Sequence, residues 1–193
     1  MRKTQQGRVE VWHSGIKDEN WVLEKIEDPA EYDTFSEFCC GDSDLNEFIK
    51  KDALHHKNEL IVESYALRGA IGKKPVAFIS FCNDAIQRDK LPRPSKKDLP
   101  RKKRYPSLPA VKIARLGVCT ELQGKNLGTH LINFTKEFFT TKNRTGCRFL
   151  TVDAYNKEQI IKFYEKNDFN KLRGELDSQE TIIMYLDLKR LKI

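Results

Sequence analysis

Apolar residues in this chain recur with two different periods. Six apolar runs have the length and the polar or turn-forming boundaries of β-strands, and they cover residues 22–26, 61–70, 75–83, 111–118, 148–154 and 181–188. Three other segments place apolar residues three or four positions apart, as a helix with one buried face does, and they cover residues 43–57, 127–138 and 157–167. Strands followed by helices predict a layered α/β or α+β domain rather than a helical bundle.

The segment with the clearest chemical meaning is residues 114–129, which read ARLGVCTELQGKNLGT. A predicted strand ends at Val118, and after a short polar connection a helix opens among Gly124, Asn126 and Gly128. The first N–H groups of a helix have no partner inside it, and the helix dipole adds positive potential there. Small residues also let the backbone approach a phosphate closely. The segment therefore predicts a site that binds a phosphorylated cofactor through backbone amides.

Two common phosphate-binding motifs do not fit this segment. In a P-loop, two glycines separated by four residues precede Lys and Ser or Thr. Here Cys119 occupies the position of the first glycine, and Asn126 follows Lys125 where Ser or Thr is required. The chain also contains no Gly-x-Gly-x-x-Gly motif, which a dinucleotide-binding turn needs. The cofactor is therefore expected to belong to another class.

The segment resembles the acyl-CoA loop of the GNAT N-acetyltransferase superfamily, whose pattern is Arg/Gln-x-x-Gly-x-Gly/Ala after a strand ending in Arg-Leu-x-Val. Residues 115–118, RLGV, match the strand end, and residues 123–128, QGKNLG, match the loop. Asn126 stands where the family has its first loop glycine. Asparagine is the non-glycine residue that best tolerates left-handed backbone angles, so the expected loop conformation is retained.

Further segments resemble the same family and follow in family order over roughly residues 22–188. Residues 149–156, FLTVDAYN, and 163–169, FYEKNDF, resemble its later strand and helix, with Asp168 in place of a glycine and a gap one residue longer than usual. Residues 38–49, FCCGDSDLNEFI, resemble the opening of a GNAT subgroup that includes bacterial toxins acetylating aminoacyl-tRNA. A helix is predicted to begin within this segment, and Asp42 or Ser43 is expected to be its N-cap.

This resemblance implies a GNAT-like central sheet, mixed but mostly antiparallel and twisted, with about six or seven strands, splayed central strands and about four flanking helices. It implies acetyl-CoA as cofactor and Tyr164 as the general acid. Asp153 is a candidate for the base because of its position at the end of a predicted strand. The cofactor-binding residues that it implies are Leu116, Gly117, Val118, Gln123, Gly124, Lys125, Asn126, Leu127, Gly128, Thr129, Asn156 and Phe163.

The proposed roles agree with ordinary acid–base chemistry. A phenol titrates near ~10 and a thiol near ~8.5, so a tyrosine is protonated at neutral pH and can donate to a departing thiolate. None of the four histidines lies in a motif that links it to catalysis. An α-amino group, with a pKa of about 7.7–8.0, needs less help from a base than an alkyl amine near ~10.4. The lack of a clear base therefore favours an α-amine acceptor.

Composition limits the remaining choices. The chain has 193 residues, and we expect one domain over residues 1–193, with an N-terminal extension at 1–20 and a basic, proline-rich insertion at 88–109. No apolar run is long enough to span a membrane, and no secretory signal is evident. The five cysteines lack Cys-x-x-Cys spacing, which favours the cytoplasm and predicts neither a disulfide framework nor a metal site.

The net charge of +7 comes from one stretch. Residues Arg88 to Arg104 contain nine Lys or Arg and two Asp, whereas the rest of the chain is neutral. We expect this proline-rich stretch to be irregular, and either solvated or in contact with RNA. The main hypothesis is an acetyl-CoA-dependent N-acetyltransferase in which a primary amine attacks directly. The acceptor is a small molecule, a peptide or an aminoacyl-tRNA, and the first alternative is toxin-like acetylation of the α-amine of aminoacyl-tRNA. A second alternative, motivated by Asn126 and Asp168 in place of family glycines, is a non-catalytic nucleic-acid-binding module. A homodimer stays open.

Overall fold

The computed structural model describes residues 8–13, 20–69, 74–92, 96, 99, 105–141, 145–174 and 180–191. The strands are β1 (Arg8–His13), β2 (Asn20–Lys25), β3 (Glu63–Gly69), β4 (Pro75–Gln87), β5 (Ser107–Val118), β6 (Phe149–Tyr155), β7 (Asn170–Lys171) and β8 (Thr181–Asp187). The helices are α1 (Ala30–Asp33), α2 (Ser43–Glu47), α3 (Ala53–Asn58), α4 (Leu127–Thr141) and α5 (Glu158–Lys166). A π-helical turn, Phe48–Asp52, joins α2 to α3.

The strands form a mixed, mostly antiparallel sheet, as the sequence predicts. In the described part of the chain, the hydrogen-bonded order is β1-β2-β3-β4-β5-β6-β8-β7. The described residues form eight strands, of which β1 precedes the first predicted strand and β7, of two residues, pairs with β8. No helix among the described residues is long and apolar enough to cross a membrane.

The pairing of β5 with β6 is parallel and short. It joins four residue pairs, from Ala110 opposite Phe149 to Ile113 opposite Val152. Both strands continue beyond these pairs, β5 to Val118 and β6 to Tyr155. A parallel pair requires a crossover connection, and here that connection contains α4.

One compact unit, called the first unit, holds the described residues of 1–81 and 114–131. Its core contains a cluster of aromatic rings from Phe35, Phe38, Phe48 and Phe78, with ring centres 5.6–6.4 Å apart. The predicted helix at 43–57 is interrupted by the π-helical turn. Its extra residue per turn lets the adjacent Phe48 and Ile49 both be buried.

The second unit holds the described residues of 82–113 and 132–193. Its core includes Ile86, Leu108, Ala110, Phe149, Leu172 and Tyr185. Leu91 and Leu99 belong to the same core, and Leu91 is completely buried. The basic stretch is therefore partly anchored by apolar side chains that the charge pattern did not reveal, whereas Arg101 to Arg104 lie outside the described residues.

Strands β4 and β5 are longer than the sequence predicts. β4 continues through Asp84 to Gln87, and β5 begins four residues early, at Ser107. The backbone N–H of Arg88 donates to the Pro106 carbonyl at 2.8 Å. Backbone hydrogen bonding thus continues beyond the ends of the apolar runs. A pattern of apolar residues cannot predict these extensions of the strands.

Candidate functional site

Three residues predicted to bind cofactor, Leu116, Gly117 and Val118, form the end of β5 in the first unit. Leu116 and Val118 are half-buried, and Gly117 is buried. A Cβ atom at Gly117 would lie 2.6 Å from the ring of Phe78, closer than real contacts allow. The Phe78 ring therefore requires glycine at position 117, a packing reason independent of the cofactor.

The loop after β5 has the backbone that the sequence predicts. Cys119 N–H donates to the Val76 carbonyl at 2.8 Å, and a short 3₁₀ turn, Thr120–Leu122, follows. Gly124 has φ +76° and Asn126 has φ +64°. At Gly124 an added Cβ would meet no atom within 4 Å, so backbone conformation alone selects glycine there. Asn126 adopts the left-handed conformation that asparagine tolerates best.

Backbone donors of this loop remain available. Among the described residues, none accepts a hydrogen bond of ordinary length and angle from the N–H groups of residues 124–128. At the start of α4, the His130 N–H donates to the Asn126 carbonyl at 3.0 Å. Residues 123–126 are exposed, and so is the side chain of Lys125. A run of free amides at a helix start, with a lysine beside it, fits the diphosphate of coenzyme A.

Gln123, unlike the loop residues that follow it, uses its side chain to bind two backbone carbonyls. Its side-chain amide nitrogen donates to the Cys40 carbonyl at 2.8 Å and to the Val118 carbonyl at 3.0 Å. The Thr120 N–H donates to the Cys39 carbonyl at 3.0 Å. The segment predicted to resemble the toxin subgroup thus packs directly against the loop, within the first unit.

That segment leads into α2, whose cap is settled by the structure. The Asp42 carboxylate accepts from the Leu45 N–H at 3.0 Å, so Asp42 rather than Ser43 is the N-cap. Arg115 lies against this helix, with its guanidinium 5.2 Å from the centre of the Phe48 ring and 3.5 Å from the Asp44 carboxylate.

Asp153, the candidate base, lies on β6 in the second unit and is exposed. Its carboxylate accepts a hydrogen bond from the Lys112 ammonium at 2.8 Å, and Asp84 lies 3.9 Å from the same ammonium. Thr151 donates its hydroxyl proton to Asp84. Burial alone disfavours the charge of Lys112, but its bond to Asp153 and the two carboxylates outweigh burial and raise its pKa.

Sequence reasoning missed Lys112 and Asp84 as neighbours of Asp153. Part of a signal was present, because Lys112, Thr151 and Asp153 are polar positions inside predicted strands, whereas Asp84 follows the predicted end of its strand. Polar residues that interrupt buried strands usually find partners across the sheet.

Tyr164 lies on α5 in the second unit and is 7% exposed. Its ring packs edge-on against Phe163 and Phe169, with ring centres 5.0 and 5.4 Å away. Burial raises the pKa of this phenol well above its usual value. Tyr164 is therefore protonated at neutral pH and can act as a donor.

The other predicted residues near Tyr164 have structural contacts. Phe163 is half-buried, and its carbonyl accepts from the Asn167 side chain at 2.8 Å. Asn156 is half-buried, and its N–H donates to the Glu180 carbonyl at 2.9 Å. Asp168 has φ +71°, and the next N–H, that of Phe169, donates to the Tyr164 carbonyl at 3.0 Å. This is the C-terminal cap geometry in which glycine is usual.

Asn126 and Asp168, the two replacements of family glycines, thus both adopt left-handed backbone angles. The non-catalytic hypothesis depended on these replacements, and the backbone that glycine would provide is present at both. Within the residues that the structure describes, no group of three His, Cys, Asp or Glu side chains has the arrangement of a metal site.

Comparison with known proteins agrees with the fold. The model of the acetyltransferase (GNAT) family matches residues 23–169. AtaT complexed with acetyl-methionyl-tRNAfMet is 25% identical, with a TM-score of 0.69 over 88% of this chain and 95% of that chain. A mutant of KacT is 23% identical, with a TM-score of 0.70 over 88% of this chain and 95% of that one.

A third solved structure holds AtaT, described as a mutant toxin, with the C-terminus of the antitoxin AtaR and acetyl-CoA. It is 21% identical, with a TM-score of 0.61 over 88% of this chain and 94% of that chain. Identities below 25% show a shared fold alone. The search of curated proteins gave no significant match to this chain.

Proposed function

Because this chain belongs to the GNAT family of acetyl-CoA-dependent N-acetyltransferases, we propose that its acceptor is the α-amine of an aminoacyl-tRNA, as in a translation-blocking toxin. The observation that carries the proposal is the likeness to AtaT complexed with acetyl-methionyl-tRNAfMet, which extends over most of both chains. The motif at residues 38–49 supports the same acceptor.

The loop after β5 is proposed to hold the cofactor, which supplies an acetyl thioester and carries a diphosphate. The free N–H groups of residues 124–128 donate to the diphosphate oxygens, and the helix dipole and Lys125 add positive potential. Backbone groups of residues 116–118 offer strand-like pairing to the pantetheine arm. The positive φ at Gly124 and Asn126 shapes the loop for this contact.

Tyr164 is proposed as the general acid that protonates the leaving thiolate. Burial raises the pKa of its phenol, so the hydroxyl keeps its proton at neutral pH and can donate it to a thiolate. Donation from a positioned acid is worth about 10²–10⁴-fold in rate.

We further propose direct transfer to the amine, without an acetylated cysteine. Cys119 is the thiol nearest in sequence to the loop, and burial raises its pKa. A thiol with a raised pKa is rarely a thiolate at neutral pH and is therefore a poor nucleophile.

Asp153 remains the proposed proton acceptor, and Lys112 holds its carboxylate on β6. A carboxylate fixed by one lysine can accept a hydrogen bond from an ammonium or amine on its free lone pairs. An α-amine loses its proton near neutral pH with little help, so the expected contribution of Asp153 is orientation of the amine more than strong basicity.

The basic stretch is proposed to contact the tRNA backbone. Neutralising Arg101 and Arg104 should weaken activity on aminoacyl-tRNA and reduce its dependence on salt, because each lost phosphate contact lowers the salt slope. Activity toward a small amine should be unchanged in the same variant.

The decisive experiment incubates the protein with acetyl-CoA and total aminoacylated tRNA, and identifies N-acetylaminoacyl-adenosine by mass spectrometry after nuclease digestion. Free polyamines and peptides serve as competing acceptors. Tyr164→Phe is the inactive control, and Tyr32→Phe, at another buried tyrosine, should keep full activity. Equal acetylation of free amines without RNA would contradict the tRNA acceptor, and absence of acetyl-CoA binding at high micromolar concentration would remove the cofactor assignment.

A further inference from the structure

Gln123 has no hydrogen-bond donor left for a ligand. A glutamine side chain carries two amide hydrogens, and both are used, one toward the Cys40 carbonyl and one toward the Val118 carbonyl. Its backbone N–H is directed to the Thr120 carbonyl at 3.4 Å. The remaining side-chain atom, the amide oxygen, is an acceptor and cannot bind an ionised diphosphate.

The two carbonyls that accept hydrogen bonds from the Gln123 side chain lie on different segments. Val118 is the last residue of β5, whereas Cys40 precedes α2 and is 83 positions away from Gln123 in sequence. A single amide therefore ties the start of the loop to both segments. These bonds also determine the orientation of the amide, because exchanging its nitrogen and oxygen would place the amide oxygen against two carbonyl oxygens.

Cys40 is itself held from its other side. Its N–H donates to the Asn46 side-chain oxygen at 2.9 Å, and Asn46 lies on α2, whose first turn is capped by Asp42. Gly41 has φ +82°, and a Cβ added to it would lie 3.4 Å from the Thr120 methyl group. The contacts thus form a chain from α2 through Asn46 and Cys40 to Gln123, all within the first unit.

We propose that Gln123 is a positioning residue that braces the cofactor loop against the segment before α2, and that Asn46 completes the brace by fixing Cys40. The proposal rests on the proposed use of the loop for acetyl-CoA. Gln123 then contributes to cofactor affinity without touching the cofactor, because it holds residues 124–128 in the conformation that presents their free amides.

The test uses Gln123→Met, which keeps side-chain length and removes both donors, and Asn46→Ala, which removes the support of Cys40. Gln87→Met, at an exposed glutamine of β4, is the matched control. Calorimetry gives the affinity for acetyl-CoA of each variant and of the double variant. Tryptic cleavage after the exposed Lys125, followed by intact mass in the absence of cofactor, reports loop order independently. Thermal unfolding identifies any loss of the global fold.

Both single variants should bind acetyl-CoA roughly three- to thirtyfold more weakly, since one or two hydrogen bonds are lost. Each should also be cleaved several-fold faster after Lys125. The double variant should be little worse than the weaker single variant, because the two residues act through one peptide segment.

Direct contact with the diphosphate would give a different result. Gln123→Met alone would weaken binding, Asn46→Ala would have no effect, and cleavage after Lys125 in the free protein would not change; this result overturns the brace. If the unaltered protein fails to bind acetyl-CoA but the two variants are still cleaved faster, the cofactor assignment fails and the brace stands.

Discussion

The ammonium of Lys112 lies 2.8 Å from the carboxylate of Asp153, and this ion pair joins the parallel strands β5 and β6. Lys112 is opposite Thr151 in the strand register, so its side chain reaches the residue two positions further along β6, on the same face. Asp84 on β4 lies 3.9 Å from the same ammonium. One cation therefore separates two carboxylates on this face of the second unit.

Replacing Lys112 with Met should destabilise the fold near neutral pH by on the order of 1 kcal/mol, because two partly exposed carboxylates lose their shared cation. The pKa of Lys112 is raised in the folded protein, so its contribution is complete below the unfolded value of about 10.4 and is lost as pH rises through the folded value.

Urea unfolding of both proteins at neutral and strongly alkaline pH measures this effect. The difference in unfolding free energy between the unaltered protein and Lys112→Met should shrink at alkaline pH. The control Lys166→Met, at an exposed lysine, should differ little from the unaltered protein at either pH. A Lys112→Met difference that persists undiminished above the lysine pKa would mean that packing of the side chain, and not its charge, is responsible.

Replacing Tyr164 with Phe should lower kcat by about 10²–10⁴-fold while acetyl-CoA affinity stays within twofold of the original. The ring contacts with Phe163 and Phe169 are retained, because only the hydroxyl is removed. Because burial raises the pKa of this phenol, the native enzyme should keep its acid protonated to above about pH 10.

Steady-state kinetics from neutral to alkaline pH, with calorimetry of acetyl-CoA, checks both statements. Unchanged turnover in the Phe variant would remove Tyr164 from the proton transfer. A loss of cofactor binding as large as the loss of turnover would assign it a binding role.

Three glycines should respond differently to alanine. Gly117→Ala should destabilise the protein by about 1–3 kcal/mol, because the new methyl group would crowd the Phe78 ring at 2.6 Å. Gly124→Ala meets no atom within 4 Å, but its φ of +76° costs about 1–2 kcal/mol in an L residue. Gly146→Ala meets no atom within 4 Å and serves as the neutral control.

Denaturant unfolding and acetyl-CoA calorimetry on the three variants separate these causes. Gly124→Ala should weaken acetyl-CoA binding by more than its loss of unfolding free energy accounts for, because the strained residue lies in the loop itself. Equal behaviour of Gly124→Ala and Gly146→Ala would show that the left-handed conformation at position 124 is unimportant.

Leu91→Ala should destabilise the second unit by about 2–5 kcal/mol, because it leaves a cavity in a core where Leu91 is completely buried. Leu60→Ala, at a side chain that is 90% exposed, should change stability by less than about 0.5 kcal/mol. Chemical unfolding gives both values. Equal and small effects would mean that the basic stretch is not anchored through Leu91.

Local chemistry was readable from the sequence alone. The strand ending at Val118, the left-handed positions at Gly124 and Asn126 and the helix that follows are adjacent in the chain. Backbone preferences of neighbouring residues act at short range, so the loop could be inferred without knowledge of its surroundings. The family and its acetyl-CoA chemistry followed from that loop and from the order of the other motifs.

Tertiary structure alone decided what surrounds these residues. Lys112 reaches Asp153 across 41 positions and Gln123 reaches Cys40 across 83, and such contacts depend on strand register and loop packing, which residue patterns do not encode locally. Leu91 was concealed for a related reason. Its sequence neighbours carry so much charge that the stretch was expected to be exposed to solvent. Burial of Leu91 depends instead on the core provided by strands that are remote in sequence.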